Sequence, residues 1–116
     1  MKRIYVAGKL DDMACNYVKN LYQMIKSSEE VRKAGFAIFV PGIDFLLGVV
    51  HGNWKYEDYF NNSQPWLDIS DAVFVQGDNW KESKGTKKEI ERAREKGIPL
   101  FFDLKVMINY FKDKEE

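Results

Sequence analysis

Ser83, Gly85 and Glu89 open a segment, Ser83-Lys-Gly-Thr-Lys-Lys-Glu-Ile-Glu-Arg-Ala93, that follows an apolar run and reads as a helix. These residue types suit anion binding and nucleophilic chemistry. A helix N-terminus presents backbone N–H groups without intrahelical acceptors, together with the positive end of the helix dipole. Ser83 fits the N-cap, and its hydroxyl can instead hold a phosphate oxygen. Gly85 lets a ligand approach the backbone closely. Glu89 lies about a turn further on and can project into the same cleft. A carboxylate set against a sugar carbon can form a covalent glycosyl intermediate. A capped helix with solvated Lys and Glu has the same spacing, so S-x-G-x-x-x-E is a weak signal by itself.

A second candidate is Tyr5-Val-Ala-Gly8-Lys9. Gly8 after an apolar run lets backbone N–H groups approach phosphate or sugar, and an ordinary strand-ending turn reads the same way. It is not a G-x-G-x-x-G fingerprint, and it lacks the G-K-[ST] ending of a P-loop. A third set is aromatic: Phe45, Trp54, Tyr56, Tyr59, Phe60, Trp66 and Trp80. Flat side chains stack on nucleobases, but most of these fit a core or a subunit interface. Trp80, just before the Ser83 helix, is the best stacking candidate. Asp68 and Asp71 flank an apolar run; Asp71 suits a turn or cap away from the cleft. His51 reads as a loop or surface histidine.

The elements that must position these residues alternate in type. Strands are expected at Arg3–Ala7, Phe36–Val40, Asp71–Val75 and Ile98–Phe102, each a short β-prone apolar run. A helix capped by Asp11 or Asp12 should run to about Ala34, with Val18, Leu21, Tyr22, Ile25 and Val31 at helical spacing. Residues 41 to 54 read as a strongly apolar loop. Helices follow over residues 55–69, with a break at Pro65, over Ser83–Lys96 and over Leu104–Phe111. Continuous apolar strands between helices predict an α/β fold, a three-layer sandwich around a parallel sheet of four to five strands. Ligands bind such folds at the carboxyl ends of the strands, so the loops after Gly8, Pro41 and Gly77 should converge on one cleft.

Composition narrows the partners. The 116 residues suit one domain, 1–116, and 45% are hydrophobic, enough for a core. Eighteen basic residues balance eighteen acidic ones, which argues against a nucleic-acid polymer as partner and is compatible with self-association. The high aromatic share, 15%, fits a subunit interface or a pocket. A lone cysteine, Cys15, permits no internal disulfide and suggests a reducing, cytoplasmic setting. No leader sequence and no membrane span are expected. His51 and Cys15 alone cannot build a structural zinc site, and no metal or cofactor is expected.

Taken in order, the motifs resemble one family. They are I-Y-V-A-G at residues 4–8, G-F-x-x-x-x-P at 35–41 and S-D-A-V-F-V at 70–75. N-W-K-x-S-x-G-x-x-x-E-I-x-x-A follows at 79–93 and G-I-P-L-F at 97–101. Across residues 2–103 the chain resembles the nucleoside 2-deoxyribosyltransferase-like superfamily, which includes deoxyribosyltransferases and nucleoside 5′-monophosphate N-glycosidases. The resemblance implies a Rossmann-like or flavodoxin-like fold and cleavage of an N-glycosidic bond. It implies Glu89 as nucleophile on C1′, oriented by Tyr5. It puts Ser83 at the 5′-phosphate, with Gly8 and Lys9 adding backbone and cationic contacts to the same ligand. It also implies a homo-oligomer in which a neighbouring subunit completes the site. In one respect the chain departs from the pattern. The family's catalytic aspartate before the third strand falls at Ser63 here, and the adjacent Asn62 can hydrogen-bond a base but cannot act as a general acid. The expected activity is therefore glycosidic cleavage or deoxyribosyl transfer on a small nucleotide or nucleoside. The alternative is a non-catalytic nucleotide-binding protein of the same fold.

Overall fold

The structure, a computed structural model, describes residues 1–10 and 14–114, excluding the side chains of Ala14 and Cys15. The expected caps Asp11 and Asp12 lie outside the described residues. The strands are β1 (Arg3–Ala7), β2 (Ala37–Phe39), β3 (Ala72–Val75) and β4 (Leu100–Phe101). The helices are α1 (Ala14–Lys33), α2 (Phe45–His51), α3 (Tyr56–Asp68), α4 (Lys84–Glu95) and α5 (Leu104–Lys114). Short 3₁₀ turns precede α2 at Pro41–Asp44 and α4 at Trp80–Glu82.

The sheet is parallel throughout, in the order β2-β1-β3-β4. Strand order therefore reverses between β1 and β3, and those two strands are the centre of the fold. Their side chains alternate between two cores, as the period of two requires. Ile4, Val6, Ala72 and Phe74 pack with Met24, Val31, Met107 and Phe111 of α1 and α5. Tyr5, Ala7, Val73 and Val75 pack on the other face with Leu67 of α3 and Ile90 and Ala93 of α4. This is the expected three-layer α/β sandwich, and it sends Tyr5 toward α3 and α4.

Several boundaries differ from the sequence expectation, for physical reasons. Residues 41–54 are not a loop: Pro41 opens a 3₁₀ turn, and α2 follows until Gly52, in left-handed geometry at φ 78°, ends it. Nearly every residue of that stretch is apolar, so no amphipathic period was there to see. α3 runs through Pro65 unbroken, with buried Ser63, Gln64 and Leu67 holding it to the fold around the proline. The buried stripe of α1 is Met24, Ser28 and Val31, whereas Val18, Tyr22 and Ile25 face outward. β4 has two residues rather than five, because only Leu100 and Phe101 find partners on β3.

Asp71 acts at the amino ends of the strands, as expected. Its carboxylate accepts the Arg3 N–H at 2.7 Å, and its own N–H donates to the Arg3 carbonyl at 2.8 Å. The pair fixes the β1–β3 register at the end remote from Gly8.

Candidate active site

A cavity of about 570 Å³ opens at the carboxyl ends of β1 and β2, between α3 and α4. That volume lies within the range of small-molecule sites, roughly 300–1,000 Å³. Each wall follows from a local rule. Gly8 and Pro41 bring in the chain ends after β1 and β2. From α3 come Tyr56, Tyr59, Phe60 and Ser63, at i, i+3, i+4 and i+7 on one helical face. From the start of α4 come Ser83, Lys84, Gly85, Thr86, Lys88 and Glu89.

Glu89 is the buried carboxylate of this wall, 9% exposed. The hydroxyl of Tyr5, itself fully buried, donates to its Oε2. Burial pushes the Glu89 carboxyl up from 4.5 to about 7, and the Tyr5 hydrogen bond partly opposes that rise. The same burial, with Glu89 adjacent, holds the Tyr5 phenol well above its ordinary value, so it stays a donor. The Ser63 hydroxyl reaches Tyr5 as well, and donates to the Phe60 carbonyl at 3.2 Å. A carboxyl near neutrality in a concave site can be ionised for attack without a cation to quench it.

Ser83 caps α4. Its Oγ accepts the Thr86 N–H at 3.2 Å and the Thr86 hydroxyl at 2.9 Å. Two hydroxyls that share one hydrogen bond leave one O–H proton unspent, next to the free N–H groups of the first turn. Lys84 and Lys88, one turn apart, add positive charge to the same wall. Lys88 also lies over the Tyr56 and Phe60 rings, at 5.8 and 5.7 Å. Gly85 faces α3 closely: a Cβ there would sit 3.1 Å from the Tyr56 hydroxyl.

The structure thus brings Gly8, Ser63, Ser83, Gly85 and Glu89 to one cavity, with Tyr5 buried behind its wall and bonded to Glu89. It places three other candidates elsewhere. The Lys9 amine pairs with Glu82 at 3.3 Å, joining the loop after β1 to the turn before α4 at the cavity rim. Trp80 packs its ring on Phe102, at 5.2 Å between centroids, and does not line the cavity. Asn62 is exposed on α3 and reaches the carboxyl of Asp44. The sequence reading missed Asp44, Tyr17, Lys84, Thr86 and Lys88. The lysines and Thr86 carried a signal, since they share the first turns of α4 with Ser83 and Glu89. Asp44 and Tyr17 carried none, because their approach depends on how α1 and the turn after β2 pack. Among the described residues no group of three or more His, Cys, Asp or Glu side chains is placed to hold a metal ion. No described helix is long and apolar enough to cross a membrane.

The fold has known counterparts. A 2-deoxyribosyltransferase from Bacillus psychrosaccharolyticus superposes with a TM-score of 0.64 at 21% identity, over 84% of this chain and 69% of that one. A conserved protein from Enterococcus faecalis V583 superposes with a TM-score of 0.55, also at 21% identity, over 86% and 61%. At that identity the likeness is one of fold: a deoxyribosyltransferase-like α/β architecture. Comparison with curated proteins finds no match. Residues 2–102 match the profile of a family described as a domain of unknown function, DUF4406, and the chain belongs to that family.

Proposed function

We propose that the protein cleaves the N-glycosidic bond of a nucleoside 5′-monophosphate or nucleoside, by hydrolysis or by deoxyribosyl transfer. The observation that carries this reading is Glu89, a buried carboxyl at a cavity wall that is hydrogen-bonded by the Tyr5 hydroxyl. A Glu89 oxygen attacks C1′, and the C1′–N bonding pair leaves with the base. Water or a second base then attacks C1′ and releases Glu89. Tyr5 keeps the attacking carboxylate in place. The unspent hydroxyl proton of the Ser83–Thr86 pair, the first-turn N–H groups, Lys84 and Lys88 supply an anion site, which favours a 5′-phosphate. The α3 aromatics Tyr56, Tyr59 and Phe60 offer surfaces for the base. The deoxyribosyltransferase fold of the neighbour above supports the same chemistry.

The test is a panel of nucleosides and 5′-monophosphates, with free base followed by chromatography, on the native chain and on Glu89→Ala. Base release by the native chain alone supports the reading. A nucleotide-binding protein without turnover is the second reading, favoured by Ser63 standing where the family's aspartate is expected. Binding without release by both proteins would establish it instead.

The chain also self-associates under this proposal. Val18, Tyr22 and Ile25 on α1 and Leu46, Leu47, Val49 and Val50 on α2 are exposed, more apolar side chains than a free surface of this size needs. Light scattering at micromolar concentration tests it; a monomer would rule it out.

A further inference from the structure

Asp44 ends the 3₁₀ turn after β2 and lines the cavity. Its Oδ2 is shut off from solvent and has no hydrogen-bond partner among the described residues. A buried, unpaired carboxyl oxygen is costly, so Asp44 is kept at the cavity at the expense of stability. The Asn62 amide reaches the same carboxyl and holds it from the α3 side. Asp44 acts electrostatically on Tyr5 and lines the same cavity as Glu89, but arrives on a different element. Nucleophile and proton donor must address different atoms, C1′ and the base, and two carboxyls on separate elements meet that need. Ser63, the position where an acid was expected, cannot serve; its hydroxyl is engaged with Phe60 and Tyr5.

We infer that Asp44 is the acid that protonates the leaving base, in place of the aspartate absent at position 63. This rests on the glycosidic reading above. In the first step the Asp44 O–H proton passes to a ring nitrogen of the base. The C1′–N bond breaks with its electron pair going to the base, and the Glu89 oxygen–C1′ bond forms. In the second step the Asp44 carboxylate takes a proton from the attacking water, the water oxygen bonds to C1′, and Glu89 leaves as a carboxylate. Burial raises the Asp44 carboxyl, and the Asn62 amide and Asp44's own backbone moderate that rise.

The test compares 2′-deoxyguanosine 5′-monophosphate with its N7-methylated form, whose cationic base departs without a proton. Asp44→Asn should lose ~10²–10⁴-fold in kcat/KM, which reports the base-release step and not the later attack of water, on the unmethylated nucleotide and less than about tenfold on the methylated one. Turnover of the methylated substrate shows at once that the variant is folded. Equal loss on both substrates by a variant with native thermal unfolding, or no loss on either, overturns the role of Asp44 and leaves Glu89 untouched. Asp44→Ser gives the same readout should the amide disturb the turn. Failure of the native chain to release base from every member of the nucleoside and nucleotide panel, these two included, overturns the glycosidic reading, and the Asp44 assignment with it.

Discussion

α3 and α4 lie along each other, and their two ends treat a carboxyl in opposite ways. At one end Asp68, the last residue of α3, receives the Arg92 guanidinium through two bonds, Nε to Oδ1 and Nη2 to Oδ2, both 2.6 Å. Lys96 adds a third nitrogen at 3.7 Å. These contacts, the Arg92 hydrogen bonds above all, hold the Asp68 carboxyl below its ordinary value. At the other end Glu89 is more deeply buried, is bonded by a neutral phenol, and has its carboxyl raised to about 7. The Asp68 pairing does what a fold needs: it neutralises a charge and clasps two helices. The Glu89 environment does the reverse and leaves a carboxyl costly to ionise, in a cavity. A side chain kept against the interest of stability is a candidate for function.

The contrast can be broken from either end. Removing the carboxyl with Glu89→Ala should cost ~10³-fold or more in base release, measured as kcat/KM on the best nucleotide of the panel. Arg92→Ala should leave that value within about threefold, since Arg92 bonds Asp68 and does not line the cavity. If both variants lose activity alike, the two ends do not differ in the way described.

Ionisation sharpens it further. Glu89 binds its proton more tightly folded than unfolded, so its contribution to stability is present below about pH 4.5 and lost as pH rises through about 7. Glu89→Gln has no such loss. Between about pH 4.5 and 8 it should gain on the order of 3 kcal/mol relative to the native chain, read by urea unfolding at a series of pH values. The native chain's kcat/KM should have an acid limb that rises as Glu89 ionises, because the carboxylate is the nucleophile, and an alkaline limb that falls as Asp44 loses its proton. A flat profile in both measurements would mean that Glu89 is already ionised.

Tyr5→Phe takes away the bond that partly restrains the Glu89 rise. The midpoint of the pH–rate profile should move upward, and the chain should lose about 1–3 kcal/mol from the unpartnered carboxyl. A downward shift would contradict the hydrogen-bond direction given above. The smallest effect belongs to the clasp. The Asp68–Arg92 pair is partly exposed, with side chains 25% and 35% accessible. Arg92→Ala should cost about 1 kcal/mol or less, and less still in high salt.

Much of this arrangement was legible in the order of residues. Local rules were enough for the four strands, since Ile4–Ala7 and Ala72–Val75 are apolar on both faces and could only be interior strands of an α/β sheet. Ser83 announced a helix start, and its hydroxyl does cap α4. Glu89 followed from spacing along that helix. What escaped was a matter of distance in sequence. Asp44 and Tyr17 share no helix or strand with Glu89, and only the packing of the turn after β2 and of α1 brings them to the cavity. Trp80 stood out by its place beside Ser83, but its ring satisfies its apolar surface on Phe102 instead.

The sequence by itself determined periodicity, caps and breaks, because those depend on neighbours within a turn or two. It therefore marked the four strands and every helix but α2, and put Ser83 and Glu89 on one helix. Tertiary structure alone decided what each carboxyl meets. Glu89 and Tyr5 are 84 residues apart and Asp68 and Arg92 are 24 apart, and no local rule reports whether a side chain finds a guanidinium, a phenol or nothing. That difference in partner, set by desolvation and long-range packing, separates the carboxyl that holds the fold from those that face the cavity.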